Sequence, residues 1–566
     1  MSLTPISLQE FRVLLSSCRP PNGWPSKIGV AFSGGPDSAC LLHLLKTLFM
    51  TCSSSEQLPS QVVAITVDHR LQPASAQASL QCREMAQSLG VPHRLEVVKW
   101  GCHPFPPLPT NAVESTGRDA RYYLLHNAMV SGDLSLMAMG HHLDDQVETM
   151  IMRDDQGSQI LGLAGMRKCR RWGMGATLDS KSLKWYGASG MSKWIVRPFL
   201  SVSKVWLLLS LQRLCVKNLQ ARILATCDAL KIDYIIDETN FQPSLTPRNM
   251  IRSQLAEALP SQPVKHSQTQ LPELGRPPAV EFNDILECEG RPTSALYSRV
   301  SQAGDFRDGC DAAGISKPLL SHHTNLIASS ADEFLSTNVV PSPESSLCII
   351  IPNEEISDAH KQAVLLRVLR YISPFPWGSP HAEARRKTRS LKDLADRIWS
   401  PSSLVARQPF TQGAMVMWTP VDVLNVSGRV RFTNKTREPL NNGWLASRLP
   451  PSRQYGSGSL DEDITGNVRK ALVANIAVLE LLWDCRYIIK IRPSLLSHPV
   501  RVSLLEGGST MVVSTQGRYL QPEVVVRQER AKAEETVLAR YSNSGQETNG
   551  SRQAVEFKWI RTLDVL

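Results

Sequence analysis

No Cys-x-x-Cys pair occurs anywhere in the chain, although it holds 12 cysteines. That spacing frames most zinc and iron–sulfur sites, so its absence argues against a cluster or a structural zinc. Scattered thiols in so long a chain read as reduced and mostly structural, as in an intracellular protein. No run of about 18 apolar residues is present, and Val205 to Leu211, the nearest, is far too short to cross a membrane. No apolar h-region stands near the start, so a secretory signal is not expected. Arg12 and Arg19, with Glu10 close by, give a mitochondrial presequence only thin support. Charged residues make up 20% and apolar residues 42%, a globular composition with some loose segments. The balance of 62 Lys and Arg against 52 Asp and Glu leaves a net charge of +10. That suits a polyanionic partner and dictates no fold. A length of 566 residues points to two or three domains.

Residues 25–255 alternate β-branched runs with helix-like stretches, the pattern of a parallel α/β sheet. Strands are expected at Ile28–Phe32, Val62–Val67, Arg94–Val98 and Ser135–Met139. Helices are expected at Ser38–Met50, Ala74–Leu89 and Gly117–Val130. Residues 256–346, rich in Pro, Ser and Gln, read as a low-complexity linker or insertion. Helical signal returns within 347–448, at Ala363–Ile372 and Ser390–Trp399. A second linker is expected over 449–465, where Pro450-Pro451 and Gly456-Ser457-Gly458 occur. Residues 466–566 look like a small β-rich module, with strands at Tyr487–Ile491, Val500–Leu505, Thr510–Val513 and Glu523–Val526.

Ser33-Gly34-Gly35-Pro36-Asp37-Ser38 follows the first strand and opens a helix. The glycines allow a tight turn that bares N–H groups to an anion, and the helix adds its positive end. Ser33 and Ser38 carry hydroxyls for phosphate oxygens. Asp37 would repel phosphate unless it holds Mg²⁺. This is neither a Walker A loop nor a Gly-x-Gly-x-x-Gly turn. Further on, Gly140-His141-His142-Leu143-Asp144-Asp145-Gln146-Val147-Glu148-Thr149 follows a strand and enters a helix. His141, Asp145 and Glu148 fall within about 60° of one another on a helical wheel. That pattern predicts an exposed face able to bind Mg²⁺ and accept a proton, with Val147, Met150 and Ile151 facing the core.

The first hexapeptide resembles the phosphate loop of PP-loop ATP pyrophosphatases, which split ATP between its α and β phosphates. The decapeptide resembles the Gly-His-His-x-Asp-Asp-Gln-x-Glu-Thr signature of the tRNA(Ile)-lysidine synthetase family. Val67-Asp68-His69, Arg118-Asp119-Ala120-Arg121-Tyr122, Gly162-Leu163 with Gly165-Met166, and Arg197-Pro198-Phe199-Leu200 are similar to further family motifs. So are Asp237-Glu238-Thr239-Asn240 and Arg248-Asn249-Met250-Ile251-Arg252. The resemblance implies an adenine nucleotide α-hydrolase-like α/β domain, followed by a helical tRNA-contacting segment; it does not reach the β-rich C-terminal module, which is read from the residues alone. It implies a ligase that consumes ATP with Mg²⁺, adenylates the wobble cytidine of an isoleucine tRNA and joins free lysine to it. Ser33 to Ser38 and Asp68 would bind ATP, and Asp37 and Asp145 the metal. Asp37, Arg121, His141, Asp145, Glu148 and Arg197 would carry the chemistry. A homodimer is compatible with it.

Residues 167–197 hold eight Lys or Arg and one Asp, interleaved with Trp172, Trp185, Tyr186 and Trp194. Arg167, Lys168, Arg170 and Arg171 are candidate tRNA phosphate contacts, and the aromatic faces candidate stacking surfaces. Two features depart from the family. Asp154-Asp155-Gln156-Gly157-Ser158-Gln159 replaces an expected Arg-Gly-x-Gly. Val205–Gln220 is an apolar insert whose removal restores family spacing. Val codons begin with GT and a Gln codon can end in AG, so a retained nuclear intron is suspected. A eukaryotic source would put the enzyme in an organelle, the mitochondrion first, and otherwise in the cytoplasm. Two alternatives stay open, a thiolase-like PP-loop enzyme and a degenerate tRNA-binding protein without catalysis.

Overall fold

The computed structural model describes residues 4–51, 58–155, 165–201, 217–236, 249, 324–340, 342–351, 356–382, 388–399, 408–423, 430–431, 442–451, 459–528, 535–542 and 553–564. They fall into two compact units, Met1–Arg171 with Lys193–Asn325, and Trp172–Ser192 with Leu326–Leu566.

The first unit opens with α1 (Leu8–Ser16), capped by the Ser7 side chain, and then alternates strand and helix. The order is β1 (Lys27–Ala31), α2 (Pro36–Thr51), β2 (Gln61–Asp68), α3 (Ser75–Ser88), β3 (His93–Val97) and α4 (Val113–Ser131). β4 (Leu136–Ala138), α5 (Leu143–Asp155), β5 (Cys169–Arg171), β6 (Trp194–Val196) and α6 (Lys217–Leu230) follow. The sheet order is β3-β2-β1-β4-β6-β5, parallel except where β5 meets β6. Ile28, Val30, Leu136, Met137 and Ala138 are all buried, as expected of parallel strands covered on both faces. All seven elements expected in this part are present, with shifted ends. β2 and β3 lie to one side of β1, and β4 and β6 to the other. The carboxyl ends of β1 and β4 therefore flank a topological switch point, where open α/β sheets bind ligands.

Residues 324–338 are helical, and the second unit includes that helix from Leu326 onward. Then come β7 (Val339–Val340), β8 (Ser346–Ile350), α7 (Asp358–Ile372), α8 (Thr388–Trp399), β9 (Phe410–Thr411), β10 (Val416–Val423), β11 (Val430–Arg431) and β12 (Asn442–Arg448). The six strands form one antiparallel sheet ordered β11-β10-β12-β8-β7, with β9 on β10. Leu391, Leu394, Ala395 and Ile398 of α8 share one apolar stripe and are buried with Val368 and Leu369 of α7. The segment expected as helical thus carries a sheet as well. Pro420 in β10 and Gly443 in β12 hid those strands, since both residues count against a strand reading. The C-terminal part holds β13 (Glu462–Asp463), β14 (Leu479–Trp483), β15 (Tyr487–Ile491), β16 (Ser509–Gln516), β17 (Gln521–Gln528), β18 (Glu535–Arg540) and β19 (Val555–Trp559), in sheets ordered β13-β16-β17-β18 and β14-β15-β19. Val500–Leu505, expected as a strand, is instead inside a helix, His498–Glu506. Pro499 starts it and Gly507, at φ +84°, ends it.

Among the described residues no helix is long and apolar enough to cross a membrane. Residues 205–216 of the suspected insert lie outside the described residues, while Lys217–Gln220 form the first turn of α6.

Candidate functional site

The loop after β1 turns at Gly34, where φ is +78°. A Cβ there would stand 2.6 Å from Ile235 Cδ1 and 2.8 Å from Cys82 Sγ. The Ile235 N–H also donates to the Gly34 carbonyl at 2.8 Å. Only glycine satisfies both the backbone angle and the space. Gly35 is less constrained, since a Cβ would meet only Ser33 Oγ at 3.7 Å. Pro36 starts α2, where its missing N–H costs nothing. Ser33 Oγ and Ser38 Oγ stand 3.2 Å apart, and Ser38 Oγ donates to the Gly35 carbonyl at 3.0 Å. The hydroxyls brace the turn at the positive end of α2.

The segment after β4 lies against this loop. A Cβ on Gly140 would stand 3.0 Å from the Asp37 carbonyl carbon, so the motif glycine permits direct backbone contact. His142 is 5% exposed and sits among three acids. Its Nε2 is 3.6 Å from Asp37 Oδ2 and 3.7 Å from Asp145 Oδ2, and its Nδ1 is 3.7 Å from Asp144 Oδ2. The His142 N–H donates to Asp145 Oδ2 at 3.0 Å. Burial alone would lower the His142 pKa, but the Asp37 hydrogen bond and the charges of Asp145, Asp37 and Asp144 raise it to about 10. Nδ1 also lies 3.2 Å from the Asp144 N–H, which suits the neutral ring. The surrounding acids favour the protonated one. Asp144 itself is raised to about 6 by burial and by its acidic neighbours, against the pull of His142.

This overturns one expectation. The face of α5 bearing Asp145 and Glu148 is buried, at 8% and 1% exposure, and not exposed. His141 precedes the helix, which starts at Leu143. Periodicity shows which residues share a face but not which face turns inward, and here the polar face enters the crevice. Of Val147, Met150 and Ile151 no side chain is among those described. The sequence reading also passed over His142, although a doubled histidine before two acids was the available signal.

Arg197, after β6, is 2% exposed. Its Nε donates to His141 Nδ1 at 3.4 Å and its Nη1 to the Arg167 carbonyl at 2.9 Å. Burial, and then Arg197, lower the His141 pKa to about 3 despite Asp145, so its ring is neutral. Burial lowers Arg197 to about 10, which leaves it charged at neutral pH. Arg121 is exposed on α4. Asp68 is buried at the end of β2, where it accepts from Arg70 N and Arg70 Nε at 3.0 and 3.2 Å. The structure thus brings Asp37, Asp145, His141 and Arg197 together and leaves Asp68 in a local turn.

Residues 14–259 match the model of one domain family, described as the PP-loop domain. A tRNA(Ile)-lysidine synthase of Pseudomonas aeruginosa is 32% identical over 254 residues, covering 44% of this chain and 46% of the relative. One from Bradyrhizobium sp. is 32% identical, with 43% and 54% covered. One from Bacillus subtilis is 30% identical, with 39% and 38% covered. The chain therefore spans about half the length of the relatives it matches. Among solved structures, a U34-tRNA thiolase from Methanococcus maripaludis, with its [4Fe-4S] cluster, matches 45% of this chain and 74% of its own. That match has 15% identity and a TM-score of 0.30.

One atom of the loop after β1 bears on a metal. Asp37 Oδ1 is buried and has no hydrogen-bond partner. An orphaned carboxylate oxygen, with Asp145 approaching the same nitrogen of His142, fits a hard cation such as Mg²⁺. Among the described residues no group of three or more ligands stands ready. Two acids would hold the ion, with phosphate and water completing its shell, as is usual for magnesium.

The basic stretch divides on inspection. Arg167 is exposed, and Lys168 and Arg170 are half-buried. Arg171 is buried, its guanidinium carbon 4.3 Å from the Trp194 ring centroid. Trp172 and Trp194 are also buried, so they pack rather than offer faces to a base. Alternating charge and aromatic rings read as a surface, but Trp172 and Trp194 supply core, while Trp185 and Tyr186 are half-buried. Residues 156–164, 237–248 and 250–252, with the altered loop after Asp155 and three family-like motif segments in part or whole, lie outside the described residues.

Proposed function

We propose that the chain is an ATP-consuming tRNA-modifying ligase that joins lysine to C2 of the wobble cytidine of an isoleucine tRNA. One observation carries the reading. Asp37 of the phosphate loop and Asp145 of α5 approach the same imidazole, at 3.6 and 3.7 Å, so phosphate and amine chemistry share one crevice. The names of the relatives support the substrate. Cytidine O2 attacks the α-phosphorus of ATP and pyrophosphate leaves. The neutral ε-amine of lysine then attacks C2, and the C2–O2 bond breaks as AMP departs with that oxygen. Mg²⁺ between Asp37 and Asp145 would draw charge from the departing pyrophosphate. Arg197 and Arg121 offset the charge that builds on AMP. Glu148 and Asp145 hold the lysine ammonium and receive its proton. The missing Cys-x-x-Cys pair weighs against a thiolase.

Incubation with labelled lysine, ATP and tRNA, followed by nucleoside analysis, should yield a lysine-bearing cytidine with one AMP per product. ATP-independent tRNA binding with no AMP would sink the reading in favour of a non-catalytic binder. Glu148→Gln should slow the lysine step by roughly ten- to a hundredfold, the effect of losing one charge-assisted hydrogen bond. Adenylated tRNA should accumulate, and high lysine should partly restore product. Pyrophosphate release that falls in step with product would move Glu148 to the first step.

Reversing Arg167, Lys168 and Arg170 to Glu should weaken tRNA binding and flatten its salt dependence. Each lost phosphate contact lowers the log–log slope by about 0.7–0.9. Arg171 is omitted because it is buried on Trp194. An unchanged slope would leave this stretch a solvated basic edge.

A further inference from the structure

Gln146, in the acidic run at the start of α5, is 5% exposed and has no role in the scheme above. Its side-chain amide reaches Met166, twenty residues on. Nε2 donates to the Met166 carbonyl at 2.7 Å, and Oε1 accepts the Met166 N–H at 2.6 Å. That double exchange copies the hydrogen-bonded pair of an antiparallel ladder, with a side-chain amide in place of a second strand. A glutamine suits it, since its amide presents donor and acceptor side by side. Arg153, two turns further along α5, donates Nη1 to the Gly165 carbonyl at 2.9 Å. α5 thus grips the backbone of two successive residues.

The residues after Met166 show what the grip is for. The Arg167 carbonyl accepts from Arg197 Nη1 at 2.9 Å, and the Lys168 carbonyl accepts the Arg197 N–H at 2.8 Å. Arg197 Nε donates to Nδ1 of His141, two residues ahead of α5, at 3.4 Å. The guanidinium is buried, so its direction is set by acceptors and not by water. Those acceptors stand on separate segments, one next to Met166 and one next to α5. The Gln146 amide ties the two segments together. We propose that Gln146 is a positioning residue, its amide holding Met166 so that the Arg167 carbonyl and His141 aim Arg197 at the departing AMP. The aim at AMP rests on the proposed function, whereas the clamp does not.

The size of the effect follows from distance. Displacing a charge-offsetting group by about 1 Å lowers a rate by about a hundredfold. Loss of the clamp lets the Arg167 carbonyl shift without removing any group that touches the substrate. It therefore lowers kcat more than it weakens ATP binding. The loss also runs through Arg197, so it disappears once there is no guanidinium to aim.

The test compares the full-length chain with Gln146→Met, which keeps the length of the side chain and loses both hydrogen bonds. Hydrogen exchange should be slow at the Met166 and Arg197 amides of the wild type, and at least about tenfold faster at both in the variant. With saturating tRNA and lysine, kcat for AMP release should fall about ten- to a hundredfold, with KM for ATP within about twofold. In an Arg197→Met background the same substitution should change kcat by less than about twofold. An unchanged Met166 amide would overturn the clamp. A faster Met166 amide beside an unchanged Arg197 amide, or an equal fold loss of kcat in both backgrounds, would overturn the positioning role. A wild type that forms no AMP removes the functional reading alone, and exchange at the two amides still decides whether Gln146 holds Arg197 in place. If Gln146→Met does not fold, Gln146→Asn, one methylene too short to reach Met166, carries the same comparisons.

Discussion

Asp37→Ala is expected to leave AMP formation about 10²- to 10³-fold below wild type, with tRNA affinity changed by less than about twofold. Asp37 stands at the first turn of α2, where the positive helix end and bare N–H groups suit phosphates and a carboxylate alike. Its Oδ1 has no hydrogen-bond partner in spite of burial, and its Oδ2 faces His142 at 3.6 Å. On the proposed function such an acid would act through a cation on the pyrophosphate and not on the RNA. Asp37→Asn, which keeps the shape and loses the charge, should fall almost as far. AMP release at the wild-type rate in either variant, measured with saturating tRNA and lysine, would remove Asp37 from the chemistry. A matching loss of tRNA affinity would make it a folding residue.

The second large effect is on stability. His142→Gln removes the cation among Asp37, Asp144 and Asp145 and leaves their carboxylates facing one another in a buried crevice. Breaking a buried charge pair from one side costs about 3–5 kcal/mol. The pH dependence follows from the direction of the shift. His142 is raised in the folded protein to about 10 from an ordinary 6.5, so the native state binds a proton that the unfolded chain releases. The stabilisation is complete below about pH 6.5 and is lost progressively as pH rises through about 10. Thermal unfolding of wild type and variant, followed without magnesium, should differ most at pH 6 and converge towards pH 10. A difference that stays constant with pH would mean that His142 contributes packing and no charge.

The two motifs were legible because each is a short run whose residues carry chemistry in themselves. A strand, then Ser-Gly-Gly-Pro-Asp-Ser, then a helix is a local statement, and Gly34 at φ +78° answers it. β1 and β4 were also legible, since runs buried on both faces need no partner in view to look apolar. Val500–Leu505 was not, because its apolar run fits a strand as well as a helix. Its type was decided by Pro499 and Gly507 at the two ends. The antiparallel sheet of the second unit escaped because Pro420 and Gly443 break the pattern that strands usually show.

By itself the sequence determined which residues share a helix face, where the phosphate loop turns, and which chemistry the loop and the acidic helix start have in common. Tertiary structure decided which of those residues meet. Spacing along α5 grouped Asp145 with Glu148 but did not say that this face is buried. Two histidines in a row are equivalent in a sequence. Only the crevice between β1 and β4 gives one of them three carboxylates and a raised pKa, and the other an arginine and a lowered one. The same holds for the basic stretch, where Arg171 and Trp194 pair across two adjacent strands and leave the surface. The physical reason is common to all three. Charge, burial and partner are properties of contacts between segments distant in the chain, and no local pattern contains them.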